Sequence, residues 1–455
     1  MKIENGLFPN MVLCRGSKSS GSHKFSGACR DSGALRLWIL APSNKIIPGF
    51  DGITCGKAAG DRFSGSFSGL PAGGPYTIRL KAGNEEVTVK NVLVGDVWLL
   101  AGQSNMQGYG NLEDAYPSPD DNVRVYYMND RWGRAQEPVC LPHIANAGVH
   151  ARLRGLPKDP GWKDPLGKGT GPGVAFADIL FKKTSIPQGL IMCAHGGTGM
   201  GQWSPGLKNR GDDSLYGAAL NRARRNGGRI RGIVWYQGCN DTGRESSKAF
   251  ERAMKHFIAS FRRDLHSPSL PFIQAQLCRC TGLPDAANEG WSAVREIQRL
   301  LPRRLENVMT IPTIDLELDD TIHLSGKSQN ILGRRFAEAA YSILNGKNAQ
   351  PPQIEPDAIK IKEVPRKGEK QLIVSFKNVA GKLAAGSRPA GFAFNRSTSD
   401  LSFRTELKGN QVILHLAQNV NVESIAYGYG ANPYCNIIDE GGRSLPAFAF
   451  RNVRK

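Results

Sequence analysis

The sequence has no apolar run long enough to cross a membrane as a helix. Stretches such as Val92–Ala101 span about ten residues, half of the roughly 20 that a membrane-spanning helix needs. The first segment, Met1–Gly16, also lacks an apolar core of about seven or more residues, so no signal peptide is predicted. These absences predict no membrane partner, and they leave the compartment of the protein open.

Cysteine is too sparse to build a disulfide scaffold, since nine cysteines, an odd number, are spread over 455 residues. Cys193 and Cys278 lie in apolar runs of strand length and are predicted to be buried thiols. Cys14, Cys29 and Cys55 crowd the N-terminal segment and could pair with one another. A single C-x-C without a second pair is weak ground for a metal site, and we predict no metal ion.

Acidic residues are outnumbered, because 59 Lys and Arg against 40 Asp and Glu give a formal net charge of +19. Such a balance favours an anionic partner. The basic residues are scattered along the chain, often in pairs such as Arg262 and Arg263, and no zinc-finger, RNP or helix-turn-helix signature accompanies them. The excess of basic residues therefore has two main interpretations: the residues lie on solvated helix faces, or they bind an acidic polysaccharide. No nucleic acid partner is predicted.

Both ends of the chain are predicted to be β-rich. Residues 1–90 and 348–455 contain short alternating segments such as Leu35–Ala41 and Gln371–Phe376, separated by polar turns. The stretch Asn348–Pro356 carries three prolines and is predicted to be a linker. The sequence thus predicts an N-terminal β-rich domain and a C-terminal β-rich domain that flank a central one.

The central domain, residues 91–347, alternates strand-like runs with amphipathic helices. Five apolar runs of strand length occur there: Asp96–Ala101, Gly189–Ala194, Ile230–Tyr236, Pro271–Leu277 and Val308–Ile314. One predicted helix has apolar residues at helical spacing: Phe250, Met254, Phe257, Ile258, Phe261 and Leu265. A second, capped by Ser325 and ended by Gly346, has the apolar face Ile331, Leu332, Phe336, Ala339, Ala340 and Ile343. This alternation predicts a parallel sheet covered on both faces, whose chemistry collects at the carboxyl ends of the strands.

The residues that follow the first two runs suggest a nucleophile and a donor of backbone N–H groups. Ser104 lies in Gly102–Met106, which is not a G-x-S-x-G elbow because Met106 replaces the second glycine. The glycine-rich stretch His195–Trp203 fits no nucleotide-binding spacing, but its N–H groups could face an oxyanion. Each feature alone is more often an ordinary turn.

The residues that follow the later runs suggest a second oxyanion donor and a general base. Asn240 could supply its side-chain amide, although an Asn-Asp pair is also common in loops. Asp320 and His323 are three positions apart, which brings a carboxylate against an imidazole on one tight turn. A lone D-x-x-H is common as well, so it is the combination that points to a hydrolase.

Taken in order, Ser104, Gly197 (or Gly196), Asn240 and His323 resemble the four blocks of the SGNH (GDSL-like) hydrolase superfamily. Within it, Val94–Met106 is similar to the nucleophile block of the sialate O-acetylesterase family. Similar segments continue along nearly the whole chain, among them Leu7–Leu13, Leu70–Thr77, Val234–Gly238, Ile425–Tyr429 and Leu445–Phe450. Two positions depart from the family pattern, namely Cys239 in place of a usual glutamate and Leu324 in place of a usual proline.

The resemblance implies a three-layer α/β/α SGNH-hydrolase domain with a parallel sheet, flanked by sandwich-like β-rich segments. It implies a serine esterase that removes O-acetyl groups from sialic acids or plant or algal polysaccharides, without a cofactor, periplasmic or secreted if a leader precedes this sequence. The implied catalytic residues are Ser104, Asp320 and His323, and the implied oxyanion hole is formed by Ser104, Gly197 and Asn240. Substrate contacts are expected from Gln103, Trp203 and Gln237.

Two other interpretations stay open at this level. A carbohydrate-binding protein with an inactive esterase core would also carry β-rich flanks, but Ser104, Asp320 and His323 are all present. A general short-chain carboxylesterase would share the same catalytic residues. The polar Gln103 and Asn105 and the lack of long apolar lid segments favour sugar esters. The basic balance fits an acidic glycan as the substrate.

Overall fold

The structure, a computed structural model, describes residues 1–16, 21–154, 164–346, 353–364 and 368–453. Its N-terminal part consists of eight strands: β1 Lys2–Asn5, β2 Val12–Cys14, β3 His23–Ala28, β4 Gly33–Leu40, β5 Ile53–Ala59, β6 Arg62–Phe67, β7 Gly73–Ala82 and β8 Glu85–Gly102. Strands β1-β3-β6-β5-β4-β7-β8 pair antiparallel in that order, and β2 pairs parallel with β8. Alternation in β4 buries Leu35, Leu37 and Ile39 on one face, as expected for a half-buried strand.

Strand β8 is 18 residues long and belongs to two sheet regions at once. Its first half pairs antiparallel with β7, and its second half, Asp96–Gly102, pairs parallel with central strands. The predicted boundary between residues 90 and 91 therefore falls inside one strand. The buried side chains on either side of it form one continuous apolar core. The predicted boundary between 347 and 348 lies outside the described residues, and independent folding of the three domains stays a prediction.

The central part supplies the remaining strands of the large sheet and its helices. Its strands are β9 Gly110–Asn111, β10 Val123–Tyr126, β11 Trp132–Arg134, β12 Lys168–Thr170, β13 Gln188–Met192, β14 Gly232–Tyr236, β15 Phe272–Gln276 and β16 Val308–Pro312. Its helices are α1 Ser104–Gln107, α2 Gly148–Arg154, α3 Gly173–Thr184, α4 Leu215–Arg225, α5 Arg244–Asp264, α6 Asn288–Arg304 and α7 Gly326–Asn345. Strands β10-β13-β8-β14-β15-β16 are parallel, so the five apolar runs are confirmed as parallel strands.

Helices cover both faces of this parallel sheet. On one face Trp98 of β8 meets Phe176 of α3 edge to face, with ring centroids 5.3 Å apart. On the other, Trp235 of β14 contacts Phe257 of α5 at 4.6 Å. Trp98 is in register with Gly232, three positions before Trp235, so the two tryptophans point to opposite faces. Both faces of the sheet are therefore covered by apolar packing, and reactive polar groups can lie only at the ends of the strands.

The two predicted helices are confirmed as α5 and α7. The apolar stripe of α5 is buried, and the Ser325 hydroxyl accepts the Ser328 N–H at 3.1 Å at the start of α7. One predicted core position is wrong, because Ile331 is 37% exposed. Leu332 and Phe336 face the core, and Ile331 lies one residue, or about 100°, around the helix from that stripe.

The C-terminal part forms separate antiparallel sheets, as the β-rich prediction requires. Its strands are β17 Glu355–Val364, β18 Glu369–Lys377, β19 Leu383–Ala384, β20 Phe392–Phe394, β21 Arg404–Lys408, β22 Gln411–Ala417, β23 Ser424–Tyr427, β24 Ile438–Asp439 and β25 Phe448–Asn452. The orders are β17-β18-β22-β21 and β20-β23-β25, with a further pair β19-β24. These strands enclose an apolar core of their own, and Gln276 of β15 bonds to the Ala447 backbone to join them to the central sheet.

All nine cysteines are free thiols, and the predicted burial of Cys193 and Cys278 is confirmed. The suggested pairing among Cys14, Cys29 and Cys55 does not form in this structure. Among the described residues, no helix is both long and apolar enough to cross a membrane. In the same part of the chain, no cluster of three or more His, Cys, Asp and Glu side chains is arranged to hold a metal ion.

We expect the stability of the fold to decrease in mild acid because of His23. This side chain is 8% exposed, and burial, together with the charge of Arg229, lowers its pKa to about 4. Below an unfolded pKa of about 6.5, the unfolded chain binds a proton that the folded one does not. Stability should therefore fall as pH falls from about 6.5 to about 4, by up to ~1.4 kcal/mol per pH unit.

Urea unfolding of the wild type and of His23→Leu between about pH 7 and about pH 4.5 measures this contribution. The variant should lose less stability over that range than the wild type. His266→Leu, at an exposed histidine, is the control and should follow the wild type. Parallel pH dependence of all three proteins would contradict the assignment to His23.

Candidate active site

Ser104 is placed at the carboxyl end of the parallel sheet by a tight turn after β8. Gly102 has a φ of +134°, and a Cβ there would lie 2.2 Å from the Tyr236 carbonyl oxygen. Only glycine permits this approach of β8 to β14 before the chain turns into α1. Ser104 is the first residue of that four-residue helix, and it is 7% exposed. Its hydroxyl therefore sits at the edge of the sheet where the loops converge.

His323 joins Ser104 to Asp320 through two hydrogen bonds. Its Nε2 lies 2.9 Å from the Ser104 Oγ, and its Nδ1 lies 2.8 Å from the Asp320 Oδ2. The other carboxylate oxygen, Oδ1, accepts the backbone N–H groups of Ile322 at 2.9 Å and His323 at 2.8 Å. Partial burial alone would raise the pKa of Asp320, but these bonds and the His323 ring lower it below its ordinary value. Asp320 is thus held as an anion beside the imidazole.

Asn105 fixes the His323 turn against the helix that carries Ser104. It is fully buried, its Nδ2 donates to the Ile322 carbonyl oxygen at 3.2 Å, and its Oδ1 accepts the Leu324 N–H at 2.9 Å. The two bonds flank His323 on either side. In the sequence, Asn105 indicates only a polar site, and its position next to Ser104 is the one signal that points to this role.

Replacing Asn105 with alanine should lower kcat by about 10- to 100-fold, because the imidazole is no longer held at hydrogen-bond distance from Ser104. The measurement is steady-state hydrolysis of 4-nitrophenyl acetate. Asn330→Ala is a matched control, since this partly buried asparagine of α7 donates to the Asp114 carbonyl oxygen at 2.9 Å, away from His323. An equal loss in both variants would show that Asn105 acts only through overall stability.

The turns after β13 and β14 meet beside Ser104. The Asn240 Nδ2 donates to the Gly197 carbonyl oxygen at 3.3 Å, and the Asn240 Oδ1 accepts from Gln103 Nε2 at 3.3 Å. The Gly196 N–H donates to the Gln107 Oε1 at 2.8 Å and so is engaged inside the protein. This bond favours Gly197, which has a φ of +73°, over Gly196 as the residue that offers its N–H to a ligand.

Gln103, for which the sequence predicts a contact with a substrate, forms part of the scaffold of the site in this structure. It is 2% exposed, and its Oε1 accepts the N–H groups of Gly238 and Cys239, both at 3.0 Å. The Gln103 Nε2 also donates to Asn240. All of these bonds connect the end of β8 to the turn after β14. Gln103 therefore sets the distance between two loops of the site.

Trp203 and Gln237, for which the sequence also predicts substrate contacts, are fully buried in this structure. Trp203 donates its ring N–H to the Thr198 Oγ1 at 3.0 Å and packs edge to face against Trp235. Gln237 donates to the Thr198 carbonyl oxygen at 3.1 Å and to Asp241 at 2.6 Å. Both residues therefore support the glycine-rich loop from inside the protein. Aromatic and amide side chains occur in cores as well as in ligand sites, so the residue type alone does not separate the two.

Tyr109 is the aromatic residue that the structure does place at the site. Its ring stacks on the His323 imidazole with centroids 4.4 Å apart and an interplanar angle of 25°. A ring in this position restricts the rotation of His323 and supplies an apolar wall to the cleft. No spacing rule in the sequence connects Tyr109 with His323, which is why this contact was not predicted.

Arg295 connects the floor of the site to the C-terminal part. It is 1% exposed and donates to the Cys278 carbonyl oxygen at 2.6 Å and to carbonyl oxygens of the C-terminal loop, among them that of Gly428 at 3.2 Å. Cys239, at the position of the family's usual glutamate, lies near this guanidinium. Burial and the nearby Cys278 raise the pKa of Cys239 well above its ordinary value, so it is a neutral thiol.

Residues 94–342 match a family model described as carbohydrate esterase, sialic acid-specific acetylesterase. A probable carbohydrate esterase of Arabidopsis thaliana is 32% identical over 267 residues, which are 54% of this chain and 90% of that protein. The sialate O-acetylesterase of Homo sapiens is 25% identical over 219 residues, which are 41% of this chain and 40% of that protein.

A solved structure has a similar fold over its full length. It is a carbohydrate acetylesterase from Xanthomonas citri, which superposes with a TM-score of 0.71, covers 100% of both chains and is 20% identical. At this identity the likeness concerns the fold alone. It includes the β-rich parts on both sides of the parallel sheet.

Proposed function

The chain belongs to the carbohydrate esterase family of sialic acid-specific acetylesterases and is a carbohydrate O-acetylesterase, and we propose that Ser104, His323 and Asp320 carry out its reaction. The observation that supports these roles is the pair of hydrogen bonds that runs from Asp320 through His323 to the Ser104 hydroxyl. This arrangement lies at the carboxyl end of the parallel sheet, where such a sheet presents its reactive groups. We also assign the central part to the three-layer SGNH-hydrolase fold, with sandwich-like β-rich flanks.

In the proposed first step, His323 Nε2 takes the proton of Ser104 as Oγ attacks the acetyl carbonyl carbon. The anionic Asp320 stabilises the imidazolium that forms. The oxyanion of the tetrahedral intermediate would accept hydrogen bonds from the N–H groups of Ser104 and Gly197 and from the Asn240 amide. The imidazolium then protonates the sugar oxygen as the ester bond breaks, which releases the sugar and leaves an acetyl group on Ser104.

In the proposed second step, His323 removes a proton from a water molecule, which attacks the acetyl carbonyl carbon. The same oxyanion donors hold the second intermediate. The bond to Ser104 Oγ then breaks, His323 returns the proton to the serine, and acetic acid leaves and ionises to acetate in the solvent. The described residues supply every proton transfer in this scheme.

Hydrolysis of 4-nitrophenyl acetate, butyrate and octanoate tests the acyl preference, and acetate release from a panel of acetylated glycans identifies the sugar. We expect rapid hydrolysis of the acetate ester, little of the octanoate ester, and release from at least one glycan. Octanoate hydrolysis as fast as acetate hydrolysis would favour a general carboxylesterase. A folded protein that binds glycans without hydrolysing any ester would favour a binding protein.

A further inference from the structure

Two adjoining cavities form one long groove. It lies at the amino ends of the parallel strands, whereas Ser104 lies at their carboxyl ends. The volumes of the two cavities are about 1120 and 760 Å³, and the cavities share Lys24, Gly227 and Gly228 as lining residues, so they lie side by side. We call this feature the amino-edge groove.

The position of the groove separates it from the catalytic cleft. The larger cavity is lined by residues that directly precede parallel strands, such as Arg231 before β14, Pro271 before β15 and Asn307 before β16. Ser104 follows the opposite end of β8. At about 3.3 Å per residue, the segment Asp96–Gly102 alone separates the two edges by about 20 Å. A ligand in the groove therefore does not touch the reacting atoms.

The amino-edge groove is strongly basic. Seven different lysine and arginine residues line the two cavities, and none of the lining residues described there is an aspartate or glutamate. Arg15 and Arg231 share one carboxylate, that of Asp96, at 2.9 and 2.7 Å. Two cations on one anion leave the base of the groove positive. A cleft that is lined by charges of one sign concentrates ligands of the opposite sign.

Five of these cations are exposed. Lys183 pairs with Glu338 and Arg224 donates to the Asp264 carbonyl oxygen, which leaves Lys24, Lys57 and Arg229 available to a ligand. Within the described ranges, none of these three side chains forms an ion pair with a carboxylate. Lys24 is common to both cavities, Lys57 lines the smaller one, and Arg229 lines the larger one. Free positive charge is thus present along the groove and is not confined to one end.

The other lining residues suit a sugar chain better than a nucleic acid. Nine serine and asparagine residues line the groove, and their hydroxyl and amide groups can pair with sugar hydroxyls. The aromatic lining residues are Phe25, which is 3% exposed, the half-buried Tyr341 and one exposed imidazole, His266. Proteins that bind single-stranded nucleic acids stack bases on exposed aromatic rings, and this groove offers little such surface.

We infer that the amino-edge groove binds a linear polysaccharide that carries carboxylate or sulfate groups, at a site separate from the catalytic cleft. The choice of a polysaccharide rests on the proposed function. Such binding keeps the enzyme on its polymer and raises the local concentration of acetyl esters. It lowers KM for an acidic polymer and leaves the hydrolysis of a small ester unchanged.

The test compares two variants of the full chain with the same change in net charge. The groove variant is Lys24→Glu, Lys57→Glu and Arg229→Glu together. The control variant is Lys360→Glu, Lys362→Glu and Lys408→Glu, at exposed positions of the C-terminal sheet. Binding to polygalacturonate, heparin, neutral dextran and single-stranded DNA is measured at low and high salt. Thermal unfolding checks that both variants are folded. If the triple groove variant is not folded, the single variant Lys57→Glu replaces it in the comparison.

We expect the wild type and the control to bind polygalacturonate or heparin in a salt-dependent manner, with the groove variant at least about tenfold weaker. Rates with 4-nitrophenyl acetate should agree among all three. Equal loss of binding in the two variants, or no binding by the wild type, would overturn the inference. Tighter binding of DNA than of either polysaccharide, lost in the groove variant, would overturn it in favour of nucleic acid. Binding without any esterase activity would contradict the proposed catalytic roles and leave the groove assignment standing.

Discussion

Replacing Ser104 with alanine is expected to lower kcat for 4-nitrophenyl acetate by at least about 10⁴-fold. The alanine side chain has no oxygen to attack the ester. The 2.9 Å hydrogen bond between the Ser104 hydroxyl and His323 Nε2 is also lost. What remains is the stabilisation that the oxyanion donors give to attack by water. Stability should change little, because the loss concerns one hydroxyl at the edge of the core.

Ser246→Ala is the control for this prediction, since the Ser246 hydroxyl only donates to the Gly243 carbonyl oxygen at the start of α5, at 3.2 Å. That variant should match the wild type. A second readout is the mass of the protein quenched during turnover, which should show one added acetyl group in the wild type and none in Ser104→Ala. Activity of Ser104→Ala within tenfold of the wild type would place the nucleophile elsewhere.

Replacing Asp320 with asparagine should lower kcat by about 10⁴-fold, because the substitution forces the wrong tautomer of His323. The side-chain oxygen of asparagine must face the N–H groups of Ile322 and His323, which donate to Oδ1 in the wild type. Its amide nitrogen then faces His323 Nδ1, which must be unprotonated to accept. The ring proton is left on Nε2, which can no longer take the proton of Ser104.

Asp320→Ala gives this argument a sharp test. Alanine does not dictate a tautomer, so this variant should retain more activity than Asp320→Asn despite the larger loss of atoms. Asp121→Asn, at an exposed carboxylate that pairs with Arg134 at 2.8 Å, should behave like the wild type. Equal or higher activity of Asp320→Asn relative to Asp320→Ala would contradict the assignment of the loss to the wrong tautomer of His323.

The sequence determined the local elements and the order of the reactive residues. Hydrophobic periodicity identified α5 and α7 and the five parallel strands, because burial on one face leaves a repeat of 3.6 residues and burial on both faces leaves a continuous apolar run. The rule that parallel strands present their carboxyl ends at one edge then led to Ser104, Asn240 and His323. Each of these residues follows a strand or precedes a capped helix, so no knowledge of contacts was needed to choose them.

Tertiary structure decided which polar and aromatic side chains face the cleft and which support it. Trp203, Gln103 and Gln237 have the chemistry of sugar contacts, yet all three are enclosed by neighbouring loops. Burial depends on packing between segments that lie more than a hundred residues apart, such as Gln103 against the turn after β14. The stacking of Tyr109 on His323 has the same origin.

Only the assembled fold likewise revealed the continuity of β8 across the predicted domain boundary and the charge of the amino-edge groove. The sequence gives the net charge of +19 but not its distribution. The basic residues of the groove come from positions as distant as Arg15 and Arg231, which the pairing of β2, β8 and β14 brings together. Local pattern encodes local structure, whereas the joining of distant charges and side chains depends on strand pairing and packing.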